Sequence, residues 1–335
     1  MTGVGRHHRL ILWVLLVGGP CGCGEVEGPS GTNGSSSATT VPFATAPRPA
    51  YTAIQGRWGD STVVSGWEVF STDQDHLLKD GEPFFIRGVV YVPGYPGYLP
   101  WEIETVSSLP EKLTKSIDRD IGDIAAMGAN TVRFWGAPRY CYQALKQAGN
   151  LFFLQTVWIN PDASDLHDPQ FKESTRAYIR SVIDRIYSVY TNNAPPLIAY
   201  VVGNELSAST IESTNAAHPD LQSYSGTYVT TDTTLNAAEV FLAEMADYVK
   251  TYEHDHYGVM HLVSYANDIR TADLIDTPFL DFRSHNVYSY AVPYYRPATA
   301  PGSVSGTLLQ GWIEELNQRS VSPDQTRVQR LHGDP

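Results

Sequence analysis

The residues best placed to do chemistry are Asn204 and Glu205, which close the aliphatic run LIAYVVG at 197–203. A buried strand holds the side chain at its end with little freedom, and an acid used for proton transfer needs such placement. Cleaving a glycosidic bond takes two carboxyl groups. One protonates the departing oxygen, and the other attacks the anomeric carbon or activates water. A Glu flanked by aromatic walls that raise its pKa suits the proton-donor role. Asn204 beside it is placed to bond a sugar hydroxyl. The plainer alternative for Glu205 is a strand-end acid paired with an arginine.

Other polar and aromatic residues gather where predicted strands end. Arg133 and Trp135 lie in ANTVRFW, Trp158 closes LFFLQTVW, Asn267-Asp268 follow HLVSYA, and His285, Asn286 and Tyr288 lie in SHNVYSY. Trp135 and Trp158 are candidate sugar-stacking faces. Tyr91, Tyr95, Tyr98 and Trp101 sit in a Pro/Gly-rich loop, where they either line a platform or pin the loop. The segment EHDHYG (His254, Asp255, His256) reads as the basic end of a helix rather than a metal site. No zinc-type Cys/His spacing and no Gly-x-Ser-x-Gly elbow occurs, so neither metal nor cofactor is expected.

The elements that position these residues alternate. GWEVFSTDQDHLLKDGEPFFIRGVVY predicts a hairpin turning at Asp80-Gly81 and leading into a buried strand. Leu113, Ile117, Ile121, Ile124 and Met127 mark a helix over 111–127. Further helices are predicted over 139–147, 169–190, about 234–252, briefly near 271–276, and at TLLQGWIEELNQ (307–318). The intervening strands are continuously apolar, the mark of a parallel sheet covered by helices. A doubly wound sheet would accommodate six such units, but no Gly-rich phosphate turn follows the first strand. Polar residues at the strand ends favour an α/β fold of the (β/α)8 TIM-barrel type, incomplete at about six strand-helix units and preceded by a short β-hairpin.

The four motifs together resemble the clan of retaining glycoside hydrolases with a (β/α)8 barrel. The nearest likenesses are barrel domains of the β-galactosidase/β-glucuronidase, endo-mannanase and β-1,3-glucanosyltransferase types. DGEPFFIRGVVYVPG resembles the clan's leading hairpin and first strand. DIAAMGANTVRFWG resembles its first helix and second strand, with Arg133 at the arginine that supports the nucleophile. VVGNELS matches the Asn-Glu pair, which implies Glu205 as acid/base. SHNVYSY resembles the sixth strand, with Tyr288 at the tyrosine that contacts the nucleophile and Asn286 on the same pattern. The likeness covers roughly residues 75–320 and implies hydrolysis or transglycosylation of a β-linked oligo- or polysaccharide. One departure is plain. The clan's nucleophile is a Glu ending an aliphatic seventh strand, whereas RSVSPDQTRVQRLHGDP follows residue 318 and no Glu follows Glu315. Glu314 and Glu315 fall on the outer face of a helix. The expectation is a barrel truncated before its seventh strand and inactive as it stands. The alternatives are a non-catalytic carbohydrate-binding protein or an inactive fragment.

Bulk properties narrow the setting. The chain has 335 residues, 42% of them hydrophobic, and a formal net charge of −13, which argues against a nucleic-acid partner. Arg6 and Arg9 precede LILWVLLVGG, so residues 1–23 read as a signal peptide. Cys23 follows Gly22 as a lipoprotein's attachment cysteine does, while Pro20 departs from that pattern; ordinary signal cleavage is the alternative. Either way the protein is expected to be secreted or anchored to the cell envelope. Residues 24–57 form a Gly/Ser/Thr/Pro linker and 58–335 the barrel domain. Beyond residue 23 only Cys141 remains, so no disulfide can staple that domain.

Overall fold

A computed structural model describes residues 11–15, 70–73, 76–191, 194–231, 235–268 and 271–287. All of them belong to one compact unit. Cys23, the linker at 24–57, Tyr288 and the predicted helix at 307–318 lie outside the described residues.

The scaffold is a parallel sheet laid down in chain order. Its six successive strands are β5 (Gly88–Tyr91), β6 (Thr131–Phe134), β7 (Phe152–Val157), β8 (Leu197–Asn204), β9 (Leu262–Asp268) and β10 (Arg283–Val287). Each pairs in parallel with the next. Within the described sheet the order never reverses, as a doubly wound sheet requires. It is the wall of an incomplete (β/α)8 barrel. A further strand, β1 (Ile11–Leu15), lies parallel to β10 at the free edge, with Ile11 opposite Arg283 and Leu15 opposite Val287. The predicted signal run thus contributes a sheet strand.

The connections carry the helices. α1 (Pro100–Ile103) and α2 (Glu111–Ala126) follow β5, α3 (Arg139–Ala148) follows β6, and α4 (Pro169–Tyr187) follows β7. Two helices follow β8: α5 (Ala208–Ala217) and α6 (Ala237–Tyr257). α2 buries Leu113, Ile117, Ile121 and Ile124 as the spacing predicts, but Met127 caps the helix and is exposed. The long helix predicted from about 234 starts three residues later, because Asn236 caps it by accepting from Glu239 N while the Glu239 side chain accepts from Asn236 N. The short helix predicted near 271–276 is instead a turn closed by Leu274 N donating to Thr271 O (2.9 Å).

Two apolar clusters lie on the two faces of the sheet. On the outer face Val132, Phe134, Phe153, Tyr200, Val202, Val263 and Tyr265 pack on the helices. On the inner face Leu154, Ala199, Val201, Leu262, Ala266 and Phe282 meet Phe70 and Leu77. Those last two belong to an antiparallel sheet of three strands, β2 (Phe70–Asp73), β3 (His76–Lys79) and β4 (Glu82–Pro83), where a two-stranded hairpin was expected. Phe70, Phe84 and Phe152 meet edge to face, with ring centroids 5.1–5.4 Å apart. The small sheet plugs the barrel's inner face near the start of β7. The C-terminal strand ends, where β8 closes on Asn204, lie at the opposite end of the sheet.

Candidate active site

β8 is buried along all eight residues and delivers Glu205 with a local distortion. Against β9, Val201 pairs with Ser264 but Asn204 pairs with Ala266, so β8 carries one extra residue at this point. Such a bulge re-aims the side chains that follow it. Gly203 takes up the distortion at φ 83°, and Glu205 itself is left-handed at φ 52°, rare for a non-glycine residue. Two long-range bonds hold the acid's backbone: Glu205 N donates to Ala266 O (2.9 Å), and Leu206 N donates to the Tyr265 hydroxyl (2.9 Å). Burial pushes the Tyr265 phenol well above its ordinary pKa, so it stays neutral and keeps its place. Ser207 then caps α5, accepting from Thr210 N.

Below the acid lies a buried polar hub. Arg133 on β6 is 2% exposed and donates to Thr156 Oγ1 (3.1 Å), Asn286 Oδ1 (3.2 Å) and Asn204 Oδ1 (2.8 Å). Asn286, fully buried on β10, donates through Nδ2 to Asn204 Oδ1 (3.0 Å) and to Glu205 Oε1 (2.8 Å). Four strands thereby share one network, and Glu205 receives a side-chain donor from a residue far along the chain. A buried guanidinium needs several acceptors to offset its desolvation, and strand-end amides and a hydroxyl supply them.

The aromatic candidates divide. Trp135 and Trp158 meet with centroids 5.8 Å apart and planes at 43°; Trp158 is 40% exposed, so the pair offers a face to solvent. Trp135 Nε1 is buried without a hydrogen-bond partner among the described residues. In contrast, Tyr91 donates to Asp120 Oδ2 on α2 (3.1 Å), and Tyr95 and Tyr98 pair backbone to backbone (2.7 and 3.3 Å). Lys112 Nζ lies 4.5 Å from the Tyr95 ring centroid. These three tyrosines pack against the core and pin their loop. Trp101 differs, standing 70% exposed.

His285 is buried on β10 next to Asn286. Asp268, on the inner face at the end of β9 and in register with Asn286, is buried as well. His254 and His256 occupy the last turn of α6 before Gly258; His254 Nδ1 lies 3.3 Å from Asp255 Oδ1 and His256 Nδ1 lies 2.9 Å from Tyr252 O. Sequence reasoning missed α5, whose small polar residues show little periodicity, and it missed Tyr265 and Thr156 as supports. Tyr265 reads as an ordinary aromatic in a strand, and nothing local marks its reach to Leu206.

No protein-family model matches the sequence, and no curated protein matches it. Among solved structures, a glycoside hydrolase family 5 mannosidase of Rhizomucor miehei, in complex with mannosyl-fructose, is similar at 13% identity and TM-score 0.46, over 76% of this chain and 68% of its own. A second mutant structure of a family 5 mannosidase from Rhizomucor miehei is similar at 13% identity and TM-score 0.48, over 75% and 71%. An endo-laminarinase from Formosa Hel1_33_131 is similar at 11% identity and TM-score 0.38, over 66% and 59%.

Proposed function

We propose that the strand ends around Glu205 form a carbohydrate site of the retaining glycoside hydrolase type, with Glu205 as its acid/base half and a β-linked oligo- or polysaccharide as ligand. The observation that carries this reading is the Asn286 Nδ2 bond to Glu205 Oε1 (2.8 Å), made from within the Arg133 hub. A carboxyl turned out of a buried strand by a bulge, and held by a buried amide, is preorganised for proton transfer. Asn204 and Asn286 would orient sugar hydroxyls, and the Trp135–Trp158 face would stack on a ring. In a retaining reaction Glu205 would protonate the leaving oxygen, then take the proton from the incoming water or sugar hydroxyl. That reaction also needs a nucleophilic carboxylate about 5–5.5 Å from the acid. The family likeness puts it on a seventh strand, and no such strand is among the described residues. The function proposed for these residues is therefore glycan binding at the acid/base half of a retaining glycosidase-type site. Residues 1–23 would add export, and in an envelope-anchored form attached at Cys23 the cleavage ahead of that residue would remove β1 from the edge of the sheet.

Calorimetry tests this, using cello-, laminari- and manno-oligosaccharides on the natural protein and Glu205→Gln. The natural protein should bind at least one series, and Glu205→Gln should bind that series with a changed affinity. Absence of binding, or one affinity shared by both proteins, refutes the site. Aryl β-glycoside hydrolysis that disappears in Glu205→Gln would likewise support Glu205 as the acid/base.

A further inference from the structure

We propose that Asp165 and His218 are positioning residues for the candidate site. They close a polar seam that locks the β7–α4 connection, which begins at Trp158, to α5, which follows Glu205. This inference rests on the reading of Glu205 as a glycan site.

The seam runs along one face of α5. Ser207, Thr210, Thr214 and His218 recur every three or four residues, so this stripe is polar where most helices carry an apolar one. Ile211 is the one apolar side chain that α5 buries, so hydrogen bonds rather than core packing hold the helix in place. Their partners lie in residues 161–166. Ser207 N donates to Pro161 O (3.0 Å), Thr210 Oγ1 to Ala163 O (2.8 Å) and Ser213 Oγ to Ser164 O (2.8 Å). Leu166 N donates in return to Thr214 Oγ1 (3.1 Å). At the far end His218 Nε2 lies 3.0 and 2.9 Å from the two Asp165 carboxylate oxygens. A carboxylate only accepts, so this ring nitrogen carries the proton. Asp165 Oδ1 also accepts from His167 N (2.8 Å), so one carboxylate ties its own loop to the end of α5. Burial raises the Asp165 pKa, but the His218 and His167 hydrogen bonds outweigh that and hold it below the ordinary carboxylate value.

A third element backs the latch. His167 Nε2 lies 2.8 Å from Ala237 O at the start of α6, and Ala238 N donates to Asn215 Oδ1 of α5 (3.0 Å). The His167 and His218 rings meet edge to face, with centroids 5.1 Å apart. The near end of the seam reaches the site. Ser207 is two residues past Glu205 and Pro161 is three past Trp158, so their bond joins the acid's strand end to the tryptophan's. Glu205 is itself left-handed, a conformation that persists only where its surroundings over-determine it. The seam is one such constraint. Opening it at Asp165–His218 frees the last turn of α5 and loosens the bonds that follow back toward Ser207. The spacing of Glu205 and Trp158 then relaxes.

The test compares Asp165→Ala and His218→Ala with His218→Gln, whose amide N–H can still donate to Asp165, and with Asp184→Asn. Asp184 accepts from the Tyr252 and Tyr257 hydroxyls near the other end of α4 (2.7–3.1 Å), so this control weakens a similar tie away from Glu205. One readout is calorimetric affinity for hexasaccharides of the cello-, laminari- and manno- series. The other is the exciton couplet of the Trp135–Trp158 pair in circular dichroism, identified as the signal that Trp158→Phe removes. Both alanine variants should lose the couplet and bind glycan about tenfold more weakly, the scale of ordering one or two side chains on binding. His218→Gln should keep both signals, and Asp184→Asn should lower only the thermal midpoint. Alanine variants that lower the midpoint yet keep couplet and affinity overturn the positioning role, as does a loss that His218→Gln does not restore. Should the alanine variants not fold, Asp165→Asn, which keeps one acceptor, decides: a diminished couplet supports the proposal and an unchanged one overturns it. If the natural protein binds no glycan, the Glu205 reading fails, and the couplet alone still decides the seam.

Discussion

Gly203→Ala should damage the acid's setting in two separable ways. The first is backbone strain: Gly203 sits at φ 83°, where an L-residue is about 1–2 kcal/mol less stable. The second is a collision, since a Cβ at Gly203 would lie 3.2 Å from Tyr265 Cδ2 and 3.3 Å from Cε2. Relieving it moves the Tyr265 ring, in a fully buried site, at a cost of about 1–3 kcal/mol by analogy with overpacked cores. The sum is about 2–5 kcal/mol. At about 2–4 °C per kcal/mol for a domain of this size, the melting midpoint should fall by roughly 4–20 °C. Gly258→Ala is the matched control. Gly258 is also left-handed, at φ 71°, but has nothing within 4 Å of its would-be Cβ, so it should lose only the backbone part, roughly 2–8 °C. The bond from Leu206 N to the Tyr265 hydroxyl holds the residue after Glu205. Moving the ring loosens that bond, so Gly203→Ala should also weaken glycan binding, while Gly258→Ala should not. Differential scanning fluorimetry and calorimetry read both effects. Equal midpoint losses in the two variants, with glycan affinity intact in both, would refute the coupling between the bulge, Tyr265 and the acid.

Two further outcomes follow from buried charges. Arg133→Met strips donors from the acceptors of Thr156, Asn204 and Asn286 at once, so urea unfolding should show a loss of about 3–5 kcal/mol, and the surviving folded protein should bind glycan poorly. Glu253, fully buried on α6, accepts from the Tyr187 and Tyr200 hydroxyls and from His261 at both Nδ1 and the backbone N. Burial pushes its pKa up, but the His261 charge and the hydrogen bonds outweigh that and hold it below the ordinary carboxylate value. A depressed folded-state pKa contributes stability above the unfolded value of about 4.3 and loses it as pH falls through the folded one. Acid titration of stability should therefore show a decline below about pH 4.3, and Glu253→Gln should flatten that limb while lowering stability at neutral pH by about 3 kcal/mol. An unchanged acid limb in Glu253→Gln would show that other carboxylates set it.

Much of the scaffold was legible because its signals are local. The aliphatic runs at 131–134, 152–157 and 197–204 became strands, and the 3.6-residue spacing of Leu113, Ile117, Ile121 and Ile124 became the buried stripe of α2. Where the signal was weak the reading slipped. The low-contrast segment ASTIESTNAA gave no stripe and proved to be α5, and the segment at 271–276 proved to be a turn. Of the candidate site, Arg133, Asn204, Glu205 and Asn286 are brought into one network, and Trp135 and Trp158 into one face.

The order of strands and helices, the polar strand ends and the acid that closes β8 were set by the sequence itself, since burial periodicity and strand-end position act over a few residues. The tertiary structure decided what surrounds that acid. Arg133 meets Asn286 across 153 positions, and Tyr265 meets Leu206 across 59. It also decided that Tyr91, Tyr95 and Tyr98 secure a loop while Trp101 faces solvent. Residues so far apart in the chain share no local pattern; only the packing of neighbouring strands brings their donors and acceptors within bonding distance.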